Sequence, residues 1–392
     1  MDVFFKSTKA PSSETLPTLR GPRNSEPPSP KHTRKNFSGK SIMPSCSVSN
    51  FDALPDIKLR CLRNIDPTPT YPQIKICERI LPHLQPSTIS NSSNGKIRAY
   101  AANTHQGLTR LYNEDKAVII LKIKSPAAEN KVQWPNCSFF GLYDGHGGKA
   151  CSNFLRENLH HYIINDPLFP EFPKQAILRG FSQAETEFLK LAKETNEKAG
   201  SCALVVLIVG KMCYIANLGD SRAVISAYKG QQAISITRDH KPDDPEEQAR
   251  IYQNGGSIYY NPNSKHIIYR VSPGRLSVSR TIGDIDAKDP AYGGNPYVLS
   301  AIPEVKSFKI KKGHDFIMMG CDGIFDVMSS KDVVSAAWNN SLVFDDLTAS
   351  FCRNGVEAII TQSMRRASSD NLTAIIISFS HENHYRAKSK CA

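Results

Sequence analysis

The chain has 392 residues, 40% of them hydrophobic, with 49 Lys and Arg against 37 Asp and Glu for a net charge of +12. Its longest apolar run, Ala203–Val209, is far shorter than the roughly 20 residues a membrane-spanning helix needs, so no transmembrane segment is expected. The 10 cysteines include no Cys-x-x-Cys pair and no Cys/His cluster at zinc spacing, which excludes a zinc scaffold and points to reduced thiols and an intracellular protein.

Residues 1–95 are rich in Ser, Pro, Thr, Lys and Arg, as in Pro27-Pro-Ser-Pro-Lys31 and His32-Thr-Arg-Lys-Asn36. Too few apolar residues recur there to offset the entropy of ordering the chain, so this basic tail is expected to be disordered. Ser29-Pro30 is a candidate phosphorylation site, and Ile74–Leu84 a candidate short helix or docking segment. The tail is suited to docking partners or anionic membranes electrostatically. It lacks dense Arg/Lys blocks with interleaved aromatics, and no nucleic-acid motif occurs elsewhere, so no nucleic-acid partner is expected. With no apolar core after Met1-Asp-Val-Phe-Phe5 and Asp at position 2, neither a secretory signal nor myristoylation is expected.

From Lys96 the texture changes. Strand-length apolar runs rich in β-branched residues recur at Ala117–Ile123, Ser138–Tyr143, Ala203–Val209, Met212–Asn217, Ala223–Ser226, Phe316–Cys321 and Leu372–Ser378. Helical texture appears at Lys149–Ile164, Pro173–Lys198, Pro245–Asn254, Lys331–Trp338 and Leu347–Met364, with Gly255-Gly256 as a stop after the third. Strands follow strands without regular βαβ alternation. The expected fold class is therefore α+β, with antiparallel sheets and segregated helices in layers over residues 96–380. A short basic tail, 381–392, follows.

The acids stand at strand ends. Asp144, Asp220 and Asp322 close apolar runs, whereas Glu114, Asp115 and Asp370 stand just before them. In an antiparallel sheet these two kinds of end lie side by side, so all six carboxylates can gather at one edge. Bare anions at that spacing raise one another's pKa, and either protons or cations must join them. Oxygen-only donors favour hard cations: Mg²⁺, Mn²⁺ or Ca²⁺. Each Asp-Gly pair read by itself is an ordinary turn. Six acids at the ends of buried strands favour a site. In Asp144-Gly-His-Gly-Gly148 the glycines allow a tight turn into a helix whose N-terminus favours anions.

A set of strings in this region resembles one family. In order they are Arg110-Leu-Tyr-Asn-Glu-Asp115, Tyr143-Asp-Gly-His-Gly-Gly148, Gly200-Ser-Cys-Ala203, Asn217-Leu-Gly-Asp-Ser-Arg222 and Arg238-Asp-His-Lys-Pro242. Then come Glu247–Ile251 before Gly255-Gly256, Leu276-Ser-Val-Ser-Arg-Thr-Ile-Gly-Asp284, Gly320-Cys-Asp-Gly-Ile-Phe-Asp-Val327 and Asp370-Asn-Leu-Thr373. Together they resemble the metal-dependent protein phosphatases (PPM, or type 2C) from about Arg98 to Phe379. The resemblance implies two packed antiparallel β-sheets flanked by helices, an αββα sandwich, and a serine/threonine phosphatase using two Mg²⁺ or Mn²⁺ ions with a weaker third site.

By position, Asp144 looks like the carboxylate bridging both metals, with the Gly145 carbonyl ligating one and Asp322 and Asp370 ligating the other. Glu114 and Asp115 would hold metal-bound waters, and Asp220, with Asp322 and Asp326, matches the third site. Arg110 occupies the place of the arginine that grips the substrate phosphate, a task suited to a forked guanidinium. The implied chemistry is in-line attack by a metal-bridging hydroxide, with His146 protonating the leaving alkoxide. No cysteine is a nucleophile in that scheme.

The resemblance implies phosphoprotein substrates, and a monomer is expected. The competing reading is a pseudophosphatase that only binds phosphoproteins. Loss of metal ligands would signal it, yet Asp144, Asp322 and Asp370 are all retained. The chain departs from the family at Cys202, where Thr is usual, a position expected to lie away from the metals. The variable segment Ile285–Pro303 is expected to bear on substrate choice.

Overall fold

The computed structural model of the chain describes residues 81–125, 134–263, 267–339 and 347–380. Ser29–Pro30, the expected tail up to residue 80 and the tail at 381–392 lie outside the described residues. Of the candidate helix Ile74–Leu84 only residues 81–84 are described, and they are not helical.

The first strands are β1 (Thr88–Ser90), β2 (Ile97–His105), β3 (Lys116–Ile120), β4 (Cys137–Tyr143) and the two-residue β5 (Gly145–His146). Strand β1 pairs with β2 and precedes the expected domain boundary at residue 96. None of its three residues, Thr88, Ile89 and Ser90, is buried, so backbone pairing rather than apolar burial orders it. Helices α1 (Ala150–Ile164) and α2 (Pro173–Thr195) follow. Helix α2 stops short of Lys198 because Asn196 takes a left-handed conformation, φ 55°. Next come β6 (Gly200–Ser201), β7 (Ala203–Val209), β8 (Met212–Leu218), β9 (Arg222–Ala227) and β10 (Gln232–Ser235).

Helix α3 (Pro245–Gln253) opens with Asp244 accepting from the Glu246 and Glu247 amides and Pro245 in its first turn. It ends at Gly255, φ +77°, where the Gly256 amide returns to the Ile251 carbonyl. The remaining elements are β11 (Ser257–Tyr260), β12 (Tyr269–Ser272), β13 (Ile282–Gly283), α4 (Ile285–Lys288), β14 (Glu304–Lys309), β15 (His314–Gly320), α5 (Asp322–Phe325), α6 (Ser330–Asn339), α7 (Ala349–Arg365) and β16 (Leu372–Phe379).

Two antiparallel sheets carry the architecture, in the orders β1-β2-β16-β15-β9-β10 and β14-β8-β7-β4-β3. Side chains alternate along each strand. On β4, Phe140 and Leu142 join the core shared by the two sheets, while Phe139 and Tyr143 face the core formed with Leu155, Leu159, Phe181 and Phe188 of α1 and α2. Helices α6 and α7 contribute Val333, Ala337, Phe351 and Ile359 against the other sheet. Both faces of the central strands are thus covered, which is why they read as unbroken apolar runs. The result is the αββα sandwich.

Strand β2 escapes an apolar-run reading because its inner face is built from Ala99 and Ala101. Strand β14 escapes because it lies at a sheet edge and carries lysines outward. A small separate core of Ile251, Val271, Ala287, Val298 and Leu299 ties α3, β11 and β12 to the segment 285–303.

A buried charge anchors this lobe. Glu247 is fully buried and accepts from Ser279 Oγ at 2.6 Å, Arg250 Nη2 at 2.8 Å and Arg280 Nε at 3.0 Å. Burial opposes its charge. The hydrogen bonds from Arg280, Ser279 and Arg250 outweigh burial and hold the carboxyl well below the usual carboxylate range. A depressed folded-state pKa contributes stability that is present above the unfolded pKa and is lost as pH falls through the folded one. Glu247→Gln strands the arginines and should cost about 3 kcal/mol by urea denaturation at neutral pH. The deficit should shrink on acidification below the ordinary carboxylate range.

Candidate metal centre

Strands β4, β8 and β15 end where β3 and β16 begin, and the acids gather there. Ligand atoms of Asp144, Asp220 and Asp322 all lie within 4.8 Å of one another, as do those of Asp115, Asp144 and Cys321. Asp144 is common to both groups, and its Oδ2 is buried with no hydrogen-bond partner. A buried carboxylate oxygen without a donor is costly unless a proton or cation reaches it.

The electrostatics follow from this crowding. Burial, then the charges of Asp322, Asp115 and Asp220, raise Asp144 well above its usual value. Burial, then Asp220 and Asp370, do the same to Asp322. Burial pushes Asp115 up to about 6, although Thr373 Oγ1 donates to its Oδ2 at 2.6 Å. Burial also pushes Asp220 up to about 6, against the pull of Lys241.

The other expected residues fall in several places. Asp370 lies outside both groups. Its Oδ2 pairs with Arg110 Nη2 at 2.5 Å, and its Oδ1 accepts from the Asn371 amide. Arg110 is half-exposed at 47%. Glu114 braces the turn after β5: its Oε1 accepts from the Gly148 amide at 2.6 Å, and its carbonyl accepts from Ser152 Oγ. That turn runs through Gly147 and Gly148 at φ +68° and +126°, conformations open to glycine, and leads into α1. Gly145 pairs with Ser201 across β5 and β6, adjacent to the cluster. Asp326 is exposed and held by Lys241 Nζ at 2.9 Å, which also lies 3.9 Å from Asp220 Oδ2. Burial opposes the Lys241 charge, but Asp220 and Asp326 outweigh it and raise its pKa.

His146 sits at the end of β5 with Nε2 2.9 Å from Asp284 Oδ1. Burial disfavours the charged ring, yet the Asp284 charge and hydrogen bond outweigh burial and raise the pKa. Cys202 is not remote from the acids as expected: its thiol lies 3.5 Å from Asp220 Oδ1. The roles of Lys241, Cys321, Thr373 and Asp284 were not singled out from the sequence. All four stand inside the quoted strings, which was the available signal.

A protein-family model described as Protein phosphatase 2C matches residues 109–372. The chain belongs to the protein phosphatase 2C family. A rice (Oryza sativa subsp. japonica) protein named "Probable protein phosphatase 2C 54" is 35% identical over 274 residues, which is 69% of this chain and 70% of that protein. An Arabidopsis thaliana protein named "Probable protein phosphatase 2C 27" is 35% identical over 243 residues, 62% of this chain and 59% of that one. Among solved structures, a serine-threonine phosphatase 2C from Toxoplasma gondii superposes with a TM-score of 0.60 at 23% identity, covering 75% of this chain and 99% of that chain. This last likeness shows the shared fold. No helix among the described residues is long and apolar enough to cross a membrane.

Family members are hydrolases of the metal-dependent phosphatase type, and the acidic cluster provides donors suited to a metal. Without metal, carboxylates with raised folded-state pKa contribute stability that is full below the unfolded pKa and is lost as pH rises through the folded one. Metal-free protein should therefore melt lower at neutral pH than just above the ordinary carboxylate range. Asp144→Asn should raise its neutral-pH melting temperature by at least about 2 °C, measured by calorimetry in chelator.

Proposed function

We propose that the chain is a metal-dependent protein serine/threonine phosphatase acting on phosphoserine and phosphothreonine in proteins. The carrying observation is Asp144, shared by two donor groups and left with a buried oxygen that no protein donor satisfies. The carboxylates of Asp115, Asp144, Asp220 and Asp322, whose pKa values are raised, fit Mg²⁺ or Mn²⁺, which charge compensation draws in, with the Cys321 thiol the one sulfur donor in the two groups. Asp144, Asp322, Asp370 and the Gly145 carbonyl would hold two ions, and Asp115 and Glu114 would hold their waters. A further cation between Asp220, Asp322 and Asp326 would have to displace the Lys241 ammonium from Asp326. When bound, the ions supply an activated water and neutralise charge on the phosphoryl group.

The chain's own residues do the rest. Arg110, on the exposed loop before β3, can turn its guanidinium from Asp370 to two phosphoryl oxygens. His146 stands beside the cluster and gives a proton to the departing serine or threonine oxygen. Tyr292, Tyr297 and Ile302 on the segment 285–303 are exposed and available to a protein substrate, which supports its role in substrate choice. The basic segment before β1, residues 1–80, would serve to dock partners.

Purified full chain should release phosphate from a phosphothreonine peptide with Mn²⁺ or Mg²⁺ and stop with EDTA; undiminished turnover in EDTA would overturn the reading. Asp322→Asn should lose at least about a hundredfold in kcat. His146→Gln should slow the peptide by about a hundredfold and p-nitrophenyl phosphate, whose leaving group needs no proton, far less.

A further inference from the structure

The Asp284–His146 pair is built from three separate directions. Both Asp284 oxygens reach His146 Nε2, at 2.9 and 3.0 Å, across 138 residues of sequence. Asp284 belongs to neither of the two donor groups around Asp144, so it is not there to complete that cluster.

The first direction is the backbone. Asp284 adopts a left-handed conformation, φ 57° and ψ 53°, which side-chain-bearing residues rarely take and which persists only when the surroundings over-determine it. Here they do. The Asp284 amide donates to the Ala199 carbonyl at 3.2 Å, and Thr281 Oγ1 donates to Asp284 Oδ2 at 2.7 Å.

The second is a buried ion pair from α2. Glu185 Oε2 accepts from the Gly283 amide at 2.9 Å, and its Oε1 accepts from Lys288 Nζ at 2.6 Å. Lys288 is 1% exposed and also donates to the Thr281 carbonyl at 2.7 Å. The pair clamps both sides of Asp284.

The third is a missing side chain. Gly200 on β6 pairs with His146 of β5 on one side and Gly283 of β13 on the other. A Cβ on Gly200 would stand 2.0 Å from Asp284 Oδ2 and 2.5 Å from His146 Nε2. The space that the pair fills exists only because residue 200 is glycine. This three-stranded sheet of two-residue strands therefore brings one carboxylate to one ring nitrogen.

We propose that Asp284 is the positioning residue for His146. It fixes the ring by holding Nε2–H and leaves Nδ1 to face the leaving oxygen. The proposal rests on the reading of His146 as the leaving-group acid. In that step water forms the new P–O bond, the ester P–O bond breaks, and the alkoxide takes the Nδ1 proton. The products are inorganic phosphate and the free serine or threonine, with Nε2–H still on Asp284.

The test uses the full chain with Mn²⁺ and the near-isosteric Asp284→Asn. Its kcat on the phosphothreonine peptide should fall at least about tenfold, with KM little changed and a smaller loss on p-nitrophenyl phosphate. Added to His146→Gln, it should cause no further loss on the peptide. In metal-free protein, ¹⁵N NMR should find the His146 proton on Nε2, and Asp284→Asn should redistribute it. Thr281→Val, which removes one support without touching the ring, should give the same pattern more weakly.

Equal losses on both substrates that multiply with His146→Gln would show a merely structural residue and overturn the proposal. So would an unchanged tautomer in Asp284→Asn. If His146→Gln spares both substrates, the acid reading fails by itself, and the NMR result still decides whether Asp284 sets the ring.

Discussion

Bringing Asp115, Asp144, Asp220, Asp322 and Asp370 to one end of two sheets costs free energy that the rest of the fold must offset. Like charges in a poorly solvated volume resist ionisation, and the raised pKa values of Asp144 and Asp322 record that resistance. Loops would relax and let the acids swing apart. Strands paired on both sides do not: β4, β8 and β15 deliver Asp144, Asp220 and Asp322 from well-buried segments, and β16 fixes Asp370 and Asn371. The large apolar core is what makes so unfavourable a gathering of charge possible.

Positive charge around the cluster is rationed in a telling way. Lys241 reaches Asp220 and Asp326, and Arg110 reaches Asp370. No protein cation pairs with Asp144 among the described residues, although burial and the charges of its neighbours raise its pKa well above the usual value. The protein thus compensates the rim of the cluster and leaves its centre to something from outside. Elsewhere a buried carboxylate is treated in the opposite way: Glu247 has three arginines within reach. The two sites contain the same functional group, and their surroundings assign one to structure and the other to chemistry.

Much of this was legible in sequence because burial on both faces leaves a plain signature. Every strand expected from an apolar run is present within a few residues, and so are the five helices. The gathering of Asp115, Asp144, Asp220 and Asp322 was legible because acids at the ends of such runs are unusual in number. What escaped has physical reasons. Strand β2 builds its inner face from alanines, and β14 is an edge strand with outward lysines. The strands β5, β6 and β13 are two residues long, below any periodicity. Cys202 is expected away from the acids because no acid stands beside it in sequence. The β6–β7 link instead runs directly beneath Asp220, where Gly219 leaves room for the sulfur. Pairings such as Asp284 with His146 arise only when distant strands meet, and no local pattern encodes them.

The Arg110–Asp370 pair bears on how a phosphate-gripping role could work. An ion pair with a half-exposed guanidinium is worth about 0–1 kcal/mol, because water screens it and two side chains must be ordered. A phosphoryl group offers the same fork two oxygens and a larger charge. A cation on Asp370 would weaken the pair further by drawing on the same carboxylate. In the proposed role, Arg110 would thus be held by a contact too weak to compete with a bound phosphoryl group. The exposed Leu111 and Tyr112 that follow it leave the guanidinium on a segment with little apolar anchorage. The strong, buried restraints lie on the His146 side, through Asp284, Glu185 and Lys288. The arginine side of the cluster is thus weakly restrained and the histidine side firmly held, and the proposed proton donor would gain most from the second arrangement because transfer fails with small errors in angle and distance.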